Sequence, residues 1–255
     1  MTLLVGIRCS DGVVIAADQA VTFGVSGIHT ISHRACKIAV ISDQVIVAGT
    51  GQVGMNQRFC DTVEKMWTGQ QAKGKSPIDV GRLVSAAAVK DFQGTGAPKG
   101  AYGALMAFPS GKHGGSLIEF QVADLQPEMK DSGTWFVSMG SGQLIADSYL
   151  AFMRSVYWQD GAPTVRHALF AAAWVMHQSI AVAPGFIAEP IDIAVLEGSN
   201  ARRLDEDDLA SHMEAAEAAT KHFGTFDPES LPVKGAPVEA PPPPEIPSPP
   251  DPAKR

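Results

Sequence analysis

Cysteine is scarce in this chain. Cys9, Cys36 and Cys60 are the only three in 255 residues, an odd number without metal-ligand spacing. That excludes a disulfide framework and points to reduced thiols in a cytoplasmic protein. An excess of basic residues is also missing: 20 Lys+Arg stand against 27 Asp+Glu, a formal net charge of -7. A surface held to nucleic acid by phosphate neutralisation is therefore not expected. No long uninterrupted apolar run occurs. The most apolar stretch, 165–182, contains Arg166, His167, His177 and Gln178, so a membrane span is not expected either. Nor does a charged segment lead into an apolar one at the start, as a signal peptide would require. Proline is sparse up to residue 227 and then dense, with 11 of the 18 prolines between Pro228 and Pro252.

What is present fits one folded domain and a tail. A chain that is 45% hydrophobic can bury one full core at this length. The domain is expected over 1–224 and a proline-rich, solvated, partly polyproline-II extension over 225–255. Strands are expected at 2–9, 13–18, 36–41 and 44–49, with a loop between the second and third. Helical spacing follows over Met55–Trp67 and Ile78–Phe92, the second opened by Ser76 as cap and Pro77 in the first turn. Strands return at 103–108, 117–122 and 134–139. Helices at 143–157 and 163–182, a strand at 191–196 and an acidic helix near 205–222 complete the pattern. Strands, two helices, strands, two helices and a strand is the signature of an α+β protein with two sheets between helix layers.

The most informative residue is Thr2. Once Met1 is removed, one carbon carries a hydroxyl and a neighbour carries a free α-amine, whose ordinary pKa of about 7.7–8.0 leaves a useful fraction unprotonated near neutrality. Such a residue contains both a nucleophile and a candidate general base. A threonine in second position is common, and taken alone Thr2 is equally an ordinary strand residue. Asp11-Gly12 reads as a two-residue hairpin turn. That turn pairs Ser10 with Val13 and sets Asp18 opposite Val5, about 10 Å along the strand from Thr2. On that register Asp18 needs a bulge, a longer turn or a spanning lysine to reach Thr2.

The order of Thr2, Gly12-Val-Val-Ile-Ala-Ala-Asp18, Lys37 at the head of a strand, Val47-Ala-Gly49 and Gly140-Ser-Gly142 resembles the proteasome β-subunit family. That family includes the HslV-type protease and other bacterial relatives. The resemblance implies a four-layer αββα sandwich of two antiparallel sheets between helix layers, the N-terminal-nucleophile hydrolase fold. It implies a threonine-type peptidase needing no cofactor or metal, built as homo-oligomeric stacked rings, hexameric or heptameric, that enclose peptide or unfolded-protein substrates, with an ATPase unfoldase as a candidate partner. Carried over residue by residue, Thr2 is the nucleophile, Lys37 its electrostatic partner and Asp18 the group that orients the lysine. Gly49 supplies an oxyanion-binding N–H, and Ser141 hydrogen-bonds near the threonine amine. Substrate lies between the Thr22 and Gly49 segments. Val21, Ala35, Val47 and Gly51 line a small, apolar first pocket that favours a hydrophobic residue before the cut.

The sequence departs from the family at Ala181-Val-Ala-Pro-Gly185, where an Asp-x-x-Ser-Gly pattern is usual. That keeps two alternatives open: a ring scaffold with drifted or absent peptidase activity, and an amidase of the same nucleophile type acting on a small molecule. Gly49-Thr-Gly-Gln-Val-Gly54 matches a dinucleotide fingerprint, but two successive helices follow it and no second strand ends in an acid about 20 residues on, so nucleotide binding is not expected. His29 and His33 lack a third ligand, and a metal site is not expected.

Overall fold

A computed structural model describes residues 2–25, 28–111, 114–184 and 187–225, with the side chains of 22–32 outside the description. The tail beyond residue 225, the side chains of Thr22 and His29, and Gly185 therefore lie outside the description. The order is β1 (Leu3–Arg8), β2 (Gly12–Asp18), β3 (Ala20–Val25), β4 (Ile28–Arg34), β5 (Ile38–Ile41), β6 (Val45–Gly51), α1 (Val53–Thr68), α2 (Pro77–Gln93), β7 (Tyr102–Phe108), β8 (Ser116–Phe120), β9 (Pro127–Lys130), β10 (Phe136–Gly140), α3 (Gln143–Tyr157), α4 (Val165–Val182), β11 (Ile191–Glu197), β12 (Asn200–Arg203) and α5 (Glu206–Gly224). One five-stranded sheet runs β10-β1-β2-β11-β12 and a second runs β5-β6-β7-β8-β9; β3 and β4 pair as a separate hairpin. The pairings are antiparallel throughout.

Three apolar clusters build four layers. Leu4, Val13, Ile15 and Ala17 from the first sheet meet Ile38, Ile46, Ala48, Leu105 and Leu117 from the second. Leu3, Val5, Ile7, Val14 and Ala16 point the other way, onto α3 and α4. Val45, Val47, Met106 and Ile118 face α1 and α2. The central strands are thus apolar on both faces, which is why they read as continuous apolar runs rather than alternations. Each large side chain so buried contributes roughly 1.5–3 kcal/mol of transfer free energy. The fold is the expected αββα sandwich, and α4 packs against the sheet.

The helix starts follow the sequence signals. The Ser76 side chain accepts from the Asp79 N–H, with Pro77 in the first turn, and Asp205 caps α5 by accepting from the Asp208 N–H.

Three features differ from expectation. The first hairpin turns at Ser10-Asp11, not Asp11-Gly12: the Cys9 N–H donates to the Gly12 carbonyl at 2.8 Å, and Arg8 pairs with Val13. The Asp11 side chain is engaged elsewhere, accepting from the Val165 N–H at 2.8 Å at the start of α4. That long-range bond explains why a local turn rule misplaced the bend. The shift of two residues brings Asp18 to the end of β2 beside Leu3, where Asp18 Oδ1 accepts the Leu3 N–H at 2.7 Å, so neither a bulge nor a longer turn is needed. Second, the stretch read as a loop before residue 36 contains β3 and β4. Third, the short edge strands β9 and β12, PEMK and NARR, carry too little apolar patterning to stand out in the sequence.

Candidate functional site

A cavity of about 240 Å³ opens where β1, β6 and the β10–α3 turn converge, lined by Thr2, Val21, Ala35, Cys36, Lys37, Gly49, Thr50, Gly51, Val53, Asn56 and Ser141. Thr2, 8% exposed, is gripped by the β10–α3 turn. Its N–H donates to Ser141 Oγ at 3.0 Å. Its carbonyl accepts from Ser141 Oγ at 3.3 Å and from the Gly142 N–H at 3.2 Å. Gly140 makes the approach feasible: it sits at φ +99, and a Cβ there would lie 2.3 Å from the Thr2 carbonyl oxygen, so only glycine fits.

Lys37 is 6% exposed and Asp18 fully buried, and they form an ion pair with Nζ 2.8 Å from Asp18 Oδ1. Asp18 Oδ2 also accepts from the Ala20 N–H at 3.2 Å. Asp18 does not line the cavity. It is a fixed anion behind it, tied to the backbone on both sides and holding the ammonium at the wall. Burial lowers the Lys37 pKa from its ordinary value, and the charge and hydrogen bond of Asp18 oppose that shift. Burial likewise raises the Cys36 thiol, against the Arg203 guanidinium nearby and a backbone hydrogen bond. The protonated thiol is a poor competing nucleophile near neutrality.

The sequence-derived residues divide as follows. Thr2, Lys37, Gly49 and Ser141 share one cavity, and so do Val21, Ala35 and Gly51. Val47 does not: it is fully buried against α1 and α2, because alternation along β6 turns it to the helix side. The amide of Gly49 is committed, donating to the Lys37 carbonyl at 3.2 Å, so its expected role as the oxyanion donor is not what this geometry provides. The close approach at Gly49 is real but serves another purpose. A Cβ there would meet Asn56 Oδ1 at 2.1 Å and the Tyr102 hydroxyl at 2.7 Å, so the glycine makes room for Asn56.

Reading the sequence missed Cys36, Thr50, Val53 and Asn56 as cavity residues. Cys36 adjoins Lys37 and Thr50 adjoins Gly49, so adjacency was the available signal for those two. Asn56 lies on the first turns of α1, and nothing local marks it. With Thr50 and Asn56 among these additions, the cavity is less apolar than expected. Among the described residues no group of three or more His, Cys, Asp or Glu could hold a metal ion, and no helix is long and apolar enough to cross a membrane.

Comparison with known proteins agrees with this fold. In fold, the chain is similar to the Gly-1 mutant of Anbu from Hyphomicrobium sp. strain MC1, with a TM-score of 0.65 at 14% identity, covering 89% of this chain and 98% of that one. In sequence, 53 residues are 43% identical to proteasome subunit beta 1 of Thermococcus kodakarensis (strain ATCC BAA-918 / JCM 12380 / KOD1), 21% of this chain and 25% of that protein. The chain thus matches only a quarter of that relative's length. The proteasome subunit family model matches residues 2–172, and the chain belongs to that family.

Proposed function

We propose that this chain, once Met1 is removed, is a threonine-type peptidase that cleaves peptides or unfolded polypeptides with Thr2 as its nucleophile. The observation that carries this reading is the position of the Thr2 nitrogen, 3.0 Å from Ser141 Oγ, in one cavity with the buried Lys37 ammonium. The Thr2 hydroxyl attacks the peptide carbonyl, its proton passes to the α-amine, and the departing amine is protonated in turn. Water then releases the acyl group by the reverse sequence. Ser141 orients the amine, and the Lys37 cation favours both the uncharged amine and the developing alkoxide. Gly51 lines the same cavity, and in this reading its amide takes the oxyanion-binding role.

A self-contained nucleophile of this kind is safe in a cell only when enclosed. Homo-oligomeric stacked rings, hexameric or heptameric, in the cytoplasm with an ATPase unfoldase feeding substrate are the corresponding assembly. The residues Ala181–Pro184 lack a polar side chain and keep the scaffold reading as a defined rival. An epoxyketone probe, which requires both a hydroxyl and a free amine, decides between them when combined with intact mass. Loss of Met1 with covalent labelling of Thr2 is expected. A correctly processed chain that stays unlabelled would establish the scaffold. Peptide-library digestion by the unlabelled, probe-reactive protein then separates peptidase from small-molecule amidase.

The pH dependence follows from the same groups. The rate rises as the Thr2 amine loses its proton and falls as Lys37 loses its own. Burial already brings the Lys37 pKa below its ordinary value, and Asp18 counters this. Asp18→Asn removes the counter-charge, so the Lys37 pKa drops further and the alkaline limb of the kcat/KM profile moves to lower pH. An unmoved alkaline limb would remove Lys37 from the titration.

A further inference from the structure

The cavity beside Thr2 has a directional polar group in its wall. Asn56 Oδ1 accepts from the Tyr102 hydroxyl at 2.9 Å, lies within 4.0 Å of the Cys60 thiol, and fills the space a Cβ on Gly49 would need. All three contacts are on the oxygen side of the amide and fix its orientation. Tyr102 is itself held: it is 3% exposed and its ring packs against Phe59 and Phe92 at centroid distances of 5.4 and 5.8 Å. The Asn56 Nδ2 is left with no hydrogen-bond partner among the described residues, and it is not one of their buried orphan atoms. Asn56 is half-buried and lines the cavity; with its Oδ1 engaged, the amide Nδ2 with its two N–H donors is the polar group it has left for a ligand.

We propose that Asn56 sets substrate choice, and that the residue before the cut carries a side-chain hydrogen-bond acceptor, glutamine first. This rests on the peptidase reading for the identity of the cavity as the pocket next to the scissile bond. An apolar side chain in the pocket would cover the Nδ2 donors without pairing them, at the cost of a desolvated polar group. A side chain ending in a carbonyl oxygen pairs one of them. Lysine offers only donors and meets donors, with the Lys37 ammonium as a second repulsive group in the same wall.

The test reads binding, so it does not depend on turnover. Acetyl-Ala-Ala-Xaa peptides with Xaa as Gln, Leu or Lys are titrated by calorimetry into the full-length Thr2→Ala protein. Gln is expected to bind about 3- to 10-fold more tightly than Leu, the value of one neutral hydrogen bond, with Lys weakest. Asn56→Asp in the same background keeps the acceptor for Tyr102 and exchanges the donors for a carboxylate. It should raise Lys above Leu and remove the Gln advantage. Leu equal to or tighter than Gln, a ratio indifferent to Asn56→Asp, or no binding by any of the peptides would overturn the proposal. Selective Gln binding by a protein whose Thr2 is never labelled by the probe would instead keep Asn56 as the recognition group of the cavity and remove the peptidase reading.

Discussion

Thr2→Ala should lower peptide hydrolysis by roughly 10⁴-fold or more, the scale of losing a nucleophile that has no substitute. The fold should be indifferent to the change. Three bonds to residue 2 use its backbone: the N–H to Ser141 Oγ, and the carbonyl to Ser141 and Gly142. Alanine keeps all three and removes only a hydroxyl and a methyl from a cavity wall. A melting temperature within a degree or two of the unaltered protein is therefore expected beside the lost activity. Thr2→Ser restores the hydroxyl on the same carbon and should recover a measurable part of the rate. Ser141→Ala should behave differently again. It leaves the nucleophile but frees the amine to rotate, so kcat falls more than KM rises. Retention of hydrolysis by Thr2→Ala would place the chemistry elsewhere in the chain.

Much of this site could be read from order alone, because β1, β2 and β6 are buried on both faces and their apolar runs identify themselves. Thr2 precedes β1, Asp18 ends β2, Lys37 precedes β5 and Gly49 lies two residues before the end of β6. The placement of Ser141 was also accessible, since glycines on both sides mark a turn that must come close to something. What the sequence hid was set by distant partners. The hairpin bend is fixed by Asp11 bonding to the start of α4, 154 residues away. Val47 was misassigned because proximity along the strand says nothing about which face a side chain takes. The fate of the Gly49 amide depended on the Lys37 carbonyl, and the position of Asn56 depended on Tyr102, 46 residues later. Local pattern carries elements and their order; register, facing and polar partnership are properties of the packed whole.

The Lys37–Asp18 pair should separate stability from function most sharply. Lys37→Met leaves a carboxylate with no exposed surface and only backbone donors for company. Breaking a buried pair by removing one partner costs about 3–5 kcal/mol, which for a domain of this size lowers Tm by roughly 6–20 °C. A loss below about 1 kcal/mol would mean that the lysine behaves as a solvated surface charge. The double variant Asp18→Asn/Lys37→Met is the more telling protein. It has no unpaired charge, keeps a side-chain oxygen for the Leu3 N–H, and fills the lysine's channel with an apolar chain of similar length. Such replacements are often neutral or stabilising, so the double variant should regain most of the lost Tm, a strong coupling between the two sites. Its activity should not return, because no cation then stands at the cavity wall to keep the Thr2 amine uncharged. A fold that is equally stable without the pair, in a protein inactive without it, would locate the reason for burying two charges in the chemistry at residue 2.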